Sequence, residues 1–276
     1  MTADSLVDEL AGVLGSIREA RWLLDELGAA SSPEQRRDEA LALAARRVAG
    51  EPLQYVLGHW PFRTLDLLVD PRVLIPRPET ELLVDAALRV LAGTTETSTV
   101  CDLGCGTGAI ALSIALEARA RGRVVDVVAT DVSEAALEVA RANAARTGAT
   151  SVAFLQGSWF DALPATLEGR IDACCANPPY VAAEERDSLA RELDFEPEIA
   201  LVAGDGSDST PGFAAVESVI VGAARWLAPG GTLLVEHADH HRAAAVACCA
   251  RAGLDVVVDH DDLAGRPRFL EARRPR

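Results

Sequence analysis

The sequence contains no lysine, so apart from its five histidines every cationic side chain is an arginine. The 26 arginines are outnumbered by 42 acidic residues, giving a formal net charge of -16. A protein that grips a nucleic acid backbone needs clustered Arg and Lys to displace counterions. Here the arginines are interleaved with acids along the chain, and the global field repels a polyanion. Long apolar runs are also missing: the longest are strand-sized and broken by charges, which excludes a membrane-spanning helix. Met1-Thr2-Ala3-Asp4 offers no basic leader ahead of an apolar stretch, so no secretory signal is expected. No C-x-x-C pair occurs among Cys101, Cys105, Cys174, Cys175, Cys248 and Cys249. These cysteines read as buried reduced thiols, and a cytoplasmic location is the default. Internal repeats and low-complexity tracts are absent too.

What is present is a globular composition. Of 276 residues, 49% are hydrophobic, enough for one large or two modest domains. Leu6, Leu10, Val13 and Leu14, then Ala20, Leu23, Leu24 and Leu27, recur at helical spacing. Ser31-Ser32-Pro33-Glu34 is a start signal for a further helix. A small helical bundle is expected up to Gly50-Glu51-Pro52. Prolines at 52, 61, 71, 76 and 78 punctuate the next stretch, which predicts a β-hairpin and connector. A helix follows from Glu79 to about Leu91, then a polar link over Gly93 to Ser98. From Thr99 onward apolar strands alternate with amphipathic helices, which predicts an α/β fold with an open parallel sheet covered on both faces.

Asp102-Leu103-Gly104-Cys105-Gly106-Thr107-Gly108 lies between the first strand and first helix of that unit. Glycines there permit a tight turn and a close ligand, and the free N–H groups of the helix start face that ligand. Asp131 ends the next strand, where an acid can accept hydrogen bonds from both ribose hydroxyls. The spacing is G-x-G-x-G, not the G-x-G-x-x-G that holds a pyrophosphate. Asp102, two positions ahead of the first glycine, suits a cationic group and not a phosphate. S-adenosylmethionine, with its ammonium, carboxylate, sulfonium and ribose, fits this donor set, and Trp159 is positioned to pack on the adenine.

Asn177-Pro178-Pro179-Tyr180 follows the fourth strand of the unit, so it faces the same crevice at the carboxyl ends of the strands. An amide or exocyclic amine is a poor nucleophile because its lone pair is delocalised. A site that holds both N–H groups on acceptors can aim that nitrogen at a methyl donor. The Asn177 side-chain oxygen and the Pro178 carbonyl are the natural pair, and the Tyr180 ring can stack on the flat substrate. Asn177, Pro178 and Tyr180 are therefore the expected catalytic residues, with Pro179 completing the substrate loop. Asp102, Gly104, Cys105, Gly106, Thr107, Gly108, Asp131, Trp159 and Asn177 are the expected cofactor residues.

Several further stretches give the sequence a resemblance to a known family. These are Gly50 to Gly58, Val73-Leu74-Ile75-Pro76-Arg77-Pro78-Glu79-Thr80-Glu81, Ser158-Trp159-Phe160, Glu196-Pro197 through Ala203-Gly204, and Asp262 to Arg268. With the glycine turn and the Asn-Pro-Pro-Tyr loop, the chain resembles HemK-type glutamine-N5 methyltransferases over nearly its whole length. The resemblance implies a Rossmann-like class I methyltransferase domain, mostly parallel with the last strand antiparallel. It places a substrate-engaging helical domain at 1–51, a hairpin connector at 52–80 and the methyltransferase domain at 81–276. It also implies the glutamine of the Gly-Gly-Gln motif of a class I peptide chain release factor as substrate. No direct nucleic acid contact, no membrane and no metal are expected, and a monomer is the expected state. The chain departs from the family pattern at His59-Trp60, over Gly204 to Phe213, and at Glu236-His237-Ala238. Rival readings are an adenine N6 or guanine N2 methyltransferase, a ribosomal-protein glutamine methyltransferase, a non-catalytic cofactor-binding regulator, and a metal site at His237, Asp239, His240 and His241. For that last cluster a solvated loop is the expectation.

Overall fold

A computed structural model describes residues 3–27, 32–93 and 97–276. Ser31 and part of the expected polar link lie outside the described residues, as does the stretch Met1-Thr2. Three helices open the chain: α1 (Ala3–Leu14), α2 (Ile17–Glu26) and α3 (Pro33–Val48). Helix α3 starts where Ser32 and Gln35 cap each other reciprocally, each side chain accepting from the other's backbone N–H. Their apolar stripes meet in a separate core built on Leu10, Leu23 and Ala40. A helical turn, α4 (Leu53–Leu57), follows and ends on Gly58 in the left-handed region. This turn was not foreseen, because five residues are too few to display a helical period.

The expected hairpin is β1 (His59–Phe62) against β2 (Leu65–Leu68), antiparallel. Helix α5 (Glu81–Ala92) leads into the alternating unit: β3 (Ser98–Leu103), α6 (Ala109–Ala120), β4 (Val125–Asp131), α7 (Glu134–Thr147), β5 (Ala153–Gln156) and β6 (Ile171–Ala176). A parallel two-residue pair, β7 (Val181–Ala182) and β8 (Val202–Ala203), brackets a run of short 3₁₀ turns. The chain closes with α8 (Ala214–Trp226), β9 (Leu227–Glu236), α9 (Arg242–Ala252), β10 (Asp255–Asp261) and β11 (Pro267–Arg273).

Seven strands form one sheet in the order β10-β11-β9-β6-β3-β4-β5. The pairs β9/β6, β6/β3, β3/β4 and β4/β5 are parallel, and β11 runs antiparallel to both neighbours. Alternation along the strands sends successive residues to opposite cores. Cys175 and Leu234 join the core of α5, α6 and α7, while Cys174 and Leu233 join that of α8 and α9. All six cysteines are free and buried, small apolar side chains in effect.

One boundary differs from expectation. Gly230-Gly231 reads as a helix break ahead of a strand at Thr232, yet β9 already begins at Leu227. Its register against β6 jumps from Ile171↔Leu227 to Ala173↔Thr232, so the two glycines accommodate a bulge. A Cβ on Gly231 would lie 2.5 Å from the Ile171 carbonyl oxygen, which leaves no room for another residue.

Asn143 on α7 ties the hairpin to the sheet. Its amide accepts from Leu68 N at 2.7 Å and donates to the carbonyls of Leu68 and Thr107 at 3.1 and 3.0 Å, and the side chain is fully buried. Asn143→Ala strands those groups without water. Urea denaturation should show a loss of about 2–3 kcal/mol; a loss under about 0.5 kcal/mol would show that the tie carries no weight.

Candidate active site

The glycine turn follows β3. Gly104, Gly106 and Gly108 all adopt positive φ, at 71°, 51° and 81°. At Gly104 the need for glycine is double, because a Cβ would also stand 3.1 Å from the Trp159 ring. The N–H groups of Gly104 and Cys105 donate to the Thr130 carbonyl at the end of β4, at 2.8 and 2.9 Å. Asp131, the next residue, accepts from Gly106 N and Ser133 N, both at 2.9 Å. Each of its oxygens keeps capacity for another donor. Burial raises the pKa of Asp131 even against those backbone hydrogen bonds.

Asp102 lies beneath the turn and is fully buried. One oxygen, Oδ2, accepts from Ala111 N at 3.0 Å, while Oδ1 is buried with no hydrogen-bond partner. Burial, with some help from the nearby Asp131 charge, pushes its pKa up to about 7. A buried acceptor without a donor is costly and calls for an explanation. An ammonium group, reached directly or through a water, would satisfy it.

A cavity of about 440 Å³ opens at this end of the sheet. Among the expected site residues, Gly104, Gly106, Asp131, Trp159, Asn177 and Pro179 line it. Trp159 holds a positive φ of 46°, and its carbonyl accepts from Thr130 Oγ1 at 2.9 Å, which fixes the ring against the glycine turn. Asp102, Cys105, Thr107, Gly108, Pro178 and Tyr180 do not line the cavity. Gly108 instead packs on Leu112 and Ala140, and Thr107 turns its carbonyl to Asn143. The Cys105 thiol is buried and its pKa is driven up. The chemistry of the walls fits S-adenosylmethionine. A carboxylate stands where a ribose would be held, an indole lies beside the turn, and an unsatisfied acid lies below it.

The Asn-Pro-Pro-Tyr loop leaves β6 beside this cavity. Asn177 Nδ2 donates to Thr80 Oγ1 at 3.2 Å, and Thr80 Oγ1 donates to Glu236 Oε2 at 2.8 Å. The other Glu236 oxygen accepts from the Tyr180 hydroxyl at 3.3 Å. Arg268 approaches the same hydroxyl at 3.5 Å and pairs with Asp262 at 3.2 Å. Burial raises the pKa of Glu236, opposed by the Thr80 hydrogen bond, the Arg268 charge and the Tyr180 hydroxyl. Burial and the Glu236 charge also raise that of Tyr180, which stays a neutral donor. Thr80, Glu236 and Arg268 stand outside the residues expected from chemistry alone. Their signals were the stretches shared with the family, Val73 to Glu81 and Asp262 to Arg268, and the acid Glu236 at the end of a strand that is otherwise mostly apolar where buried.

A second buried acid, Glu196, accepts from Ile75 N at 3.1 Å and from Arg77 Nη2 at 2.6 Å. It holds the Val73-to-Glu81 stretch against the segment that roofs the cavity. Gly212 backs the Asn-Pro-Pro-Tyr loop: a Cβ there would lie 2.5 Å from the Tyr180 carbonyl oxygen. The cluster of His237, Asp239, His240 and His241 is only half the solvated loop expected of it: Asp239 and His240 are exposed. His237 and His241 are fully buried; His237 bridges the Ala238 carbonyl and Asp259, and His241 reaches the Pro211 carbonyl. Only His240 is exposed among these three. Among the described residues no group of three or more His, Cys, Asp or Glu is arranged to hold a metal ion.

Asp102 gives a pH prediction. Its pKa rises on folding from 3.8 to about 7, so the neutral acid favours the fold. That contribution is complete below about pH 4 and is lost as the pH climbs through 7. In the absence of ligand, the melting temperature of the wild type should therefore fall relative to Asp102→Asn between about pH 4 and 8. Parallel curves across that window would refute the assignment.

Comparison with known proteins agrees with this geometry. A family model described as a methyltransferase domain matches residues 94–253. The release factor glutamine methyltransferase of Bordetella pertussis is 43% identical, over 93% of this chain and 89% of its own length. That of Neisseria gonorrhoeae is 42% identical, over 87% and 83%. Among solved structures, the ribosomal protein L11 methylase of Lactobacillus delbrueckii subsp. bulgaricus aligns with a TM-score of 0.53 at 17% identity, covering 78% of this chain and 97% of that one. A methyltransferase from Pyrococcus furiosus aligns equally well, with a TM-score of 0.53 at 17% identity, over 84% and 98%. These structural likenesses speak for the fold, and the sequence identity across nearly the full length speaks for more: the chain belongs to the release factor glutamine methyltransferase family.

Proposed function

We propose that this protein transfers a methyl group from S-adenosylmethionine to the side-chain amide nitrogen of a glutamine in a class I peptide chain release factor, the glutamine of its Gly-Gly-Gln motif. The observation that carries the proposal is the similarity to release factor glutamine methyltransferases over nearly the full length, together with an Asn-Pro-Pro-Tyr loop whose Asn177 and Pro179 line the cavity. S-adenosylmethionine, when bound, supplies a methyl group made electrophilic by its sulfonium. Gly104 and Gly106 admit the ligand close to the backbone, Asp131 accepts from the ribose hydroxyls, and Trp159 packs on the adenine. Asp102 answers the ammonium from below.

On the substrate side, Asn177 Oδ1 and the Pro178 carbonyl accept the two N–H groups of the glutamine amide. Both prolines lack an N–H, so the loop offers acceptors and no competing donor at those positions. Tyr180 flanks the flat amide. As the nitrogen gains positive charge during attack, its N–H groups become better donors and the two hydrogen bonds strengthen. That is stabilisation expressed in the transition state more than in the ground state. The remaining contribution is orientation of a weak nucleophile along one approach line.

The helical region up to residue 51 engages the protein substrate, with 52–80 as connector and 81–276 as the catalytic domain. The protein acts as a monomer in the cytoplasm, where release factors work. Among the described residues no helix is long and apolar enough to cross a membrane. A net charge of -16 favours a protein substrate over a nucleic acid one.

Incubation with cofactor and class I release factor, followed by peptide mass spectrometry, should find a single added methyl on the Gly-Gly-Gln glutamine. Asn177→Ala should lower turnover by about a hundredfold or more while leaving cofactor affinity within a few-fold. Methyl transfer to DNA or ribosomal RNA alone, or to a ribosomal protein alone, would overturn the substrate assignment.

A further inference from the structure

The Asn177 side chain has two ends of similar shape and opposite character. Only its oxygen can accept from a substrate N–H; turned over, the same side chain would present its own NH₂ to the substrate NH₂, two donors face to face. Something must therefore hold the amide one way round. Neither proline can do so through a backbone N–H, since each lacks one.

Thr80 and Glu236 supply the missing constraint. Both are buried, Thr80 at 4% and Glu236 at 1% exposure. Both Glu236 oxygens accept from hydroxyls, one from Thr80 at 2.8 Å and one from Tyr180 at 3.3 Å. The single hydroxyl hydrogen of Thr80 is thus committed to Glu236. Toward its other neighbour Thr80 has only lone pairs, and that neighbour is Asn177, 3.2 Å away through Nδ2. The direction of every hydrogen bond in the chain Asn177→Thr80→Glu236 follows from the acid at its end. With Nδ2 engaged by Thr80, Oδ1 is the end left for a substrate.

We propose that Thr80, backed by Glu236, is a positioning residue that fixes the orientation of the Asn177 amide and so makes the site an acceptor for a substrate NH₂. This rests on the proposed glutamine methylation and deepens it. Thr80 touches neither the nitrogen nor the methyl; its effect passes through Asn177. The device also bears on selectivity. A side-chain carboxylate in place of the substrate amide would set oxygen against oxygen, so glutamate is refused by the same polarity that admits glutamine.

The test compares Thr80→Val, which keeps the shape and loses the hydroxyl, with Thr80→Ser, which keeps the hydroxyl. Each full-length variant is assayed for methyl transfer to release factor, for S-adenosylmethionine affinity by calorimetry, and for melting temperature. Thr80→Val should lose roughly tenfold to a hundredfold in kcat, the loss typical of a mispaired buried polar group. Its cofactor affinity should stay within about threefold, a kcat-selective pattern that a merely structural role would not produce. Thr80→Ser should restore kcat to within about threefold of wild type. If Thr80→Val does not fold, Thr80→Ala takes its place under the same criteria. An active wild type with an unimpaired Thr80→Val, or a Thr80→Ser as poor as Thr80→Val, overturns the positioning role alone. A wild type that does not methylate the release factor glutamine overturns the parent reading and this role with it.

Discussion

The parallel pairing of β3 with β4 on one side and β6 on the other is the constraint on which the site depends. The register sets Leu103 opposite both Thr130 and Ala176. The next residue on each strand is then Gly104, Asp131 and Asn177, three site residues brought level by backbone hydrogen bonds alone. Neighbouring strands lie about 4.8 Å apart, so one ladder places Asp131, the glycine turn and Asn177, the residues proposed to hold ribose and substrate amide, along a line of about 10 Å. A slip of one residue would turn each strand's side chains to the other face and break the line. β9 extends the row, bringing Glu236 to the same edge one residue beyond the Ala176↔Val235 pair. The proposed site needs no triad; it needs four strands that stop together.

How much of this was legible follows from where each signal resides. The alternation of apolar strands and amphipathic helices is local, so β3 to β6 and their helices could be read within one or two residues. The glycine turn and the Asn-Pro-Pro-Tyr loop carry their chemistry in adjacent residues and were equally visible. Helix α4 was too short to show a period. The bulge at Gly230-Gly231 depends on a carbonyl of another strand, Ile171, and a local reading mistook it for a break. The β7/β8 pair joins segments about twenty residues apart, and two residues carry no strand pattern. Thr80 and Glu236 are separated by more than 150 positions, and only the folded chain makes them partners. His237 and His241 were misplaced for a related reason. A run rich in histidine and aspartate looks solvated, but these two find acceptors within the fold, in Asp259 and the Pro211 carbonyl.

The arginines illustrate how a lysine-free chain distributes its positive charge. Arg63 reaches from the hairpin to Glu117 on α6, and Arg47 on α3 meets Glu19 on α2 and Glu192 in the segment between β7 and β8. These pairs are forked and directional, which suits arginine better than an ammonium. Most are partly exposed and contribute little stability each. What they supply is registration between segments far apart in sequence, including the helical region and the roof of the cavity.

Gly212 carries a consequence for how freely this protein can vary. The segment from Gly204 to Phe213, one of three stretches expected to depart from the family pattern, stands directly behind the Asn-Pro-Pro-Tyr loop. The two are spaced by a single hydrogen atom at Gly212. On the far side of that contact the segment turns back through Gly206 N and the Thr210 carbonyl, and Ser207 N ties it to Glu217 on α8. The backing of Tyr180 thus rests on Gly212, and the turn ahead of it is anchored to that glycine through Asp205 and to α8 through Glu217. Changes at Asp205, which accepts from Gly212 N at 3.4 Å, are therefore passed directly to the position that spaces the loop.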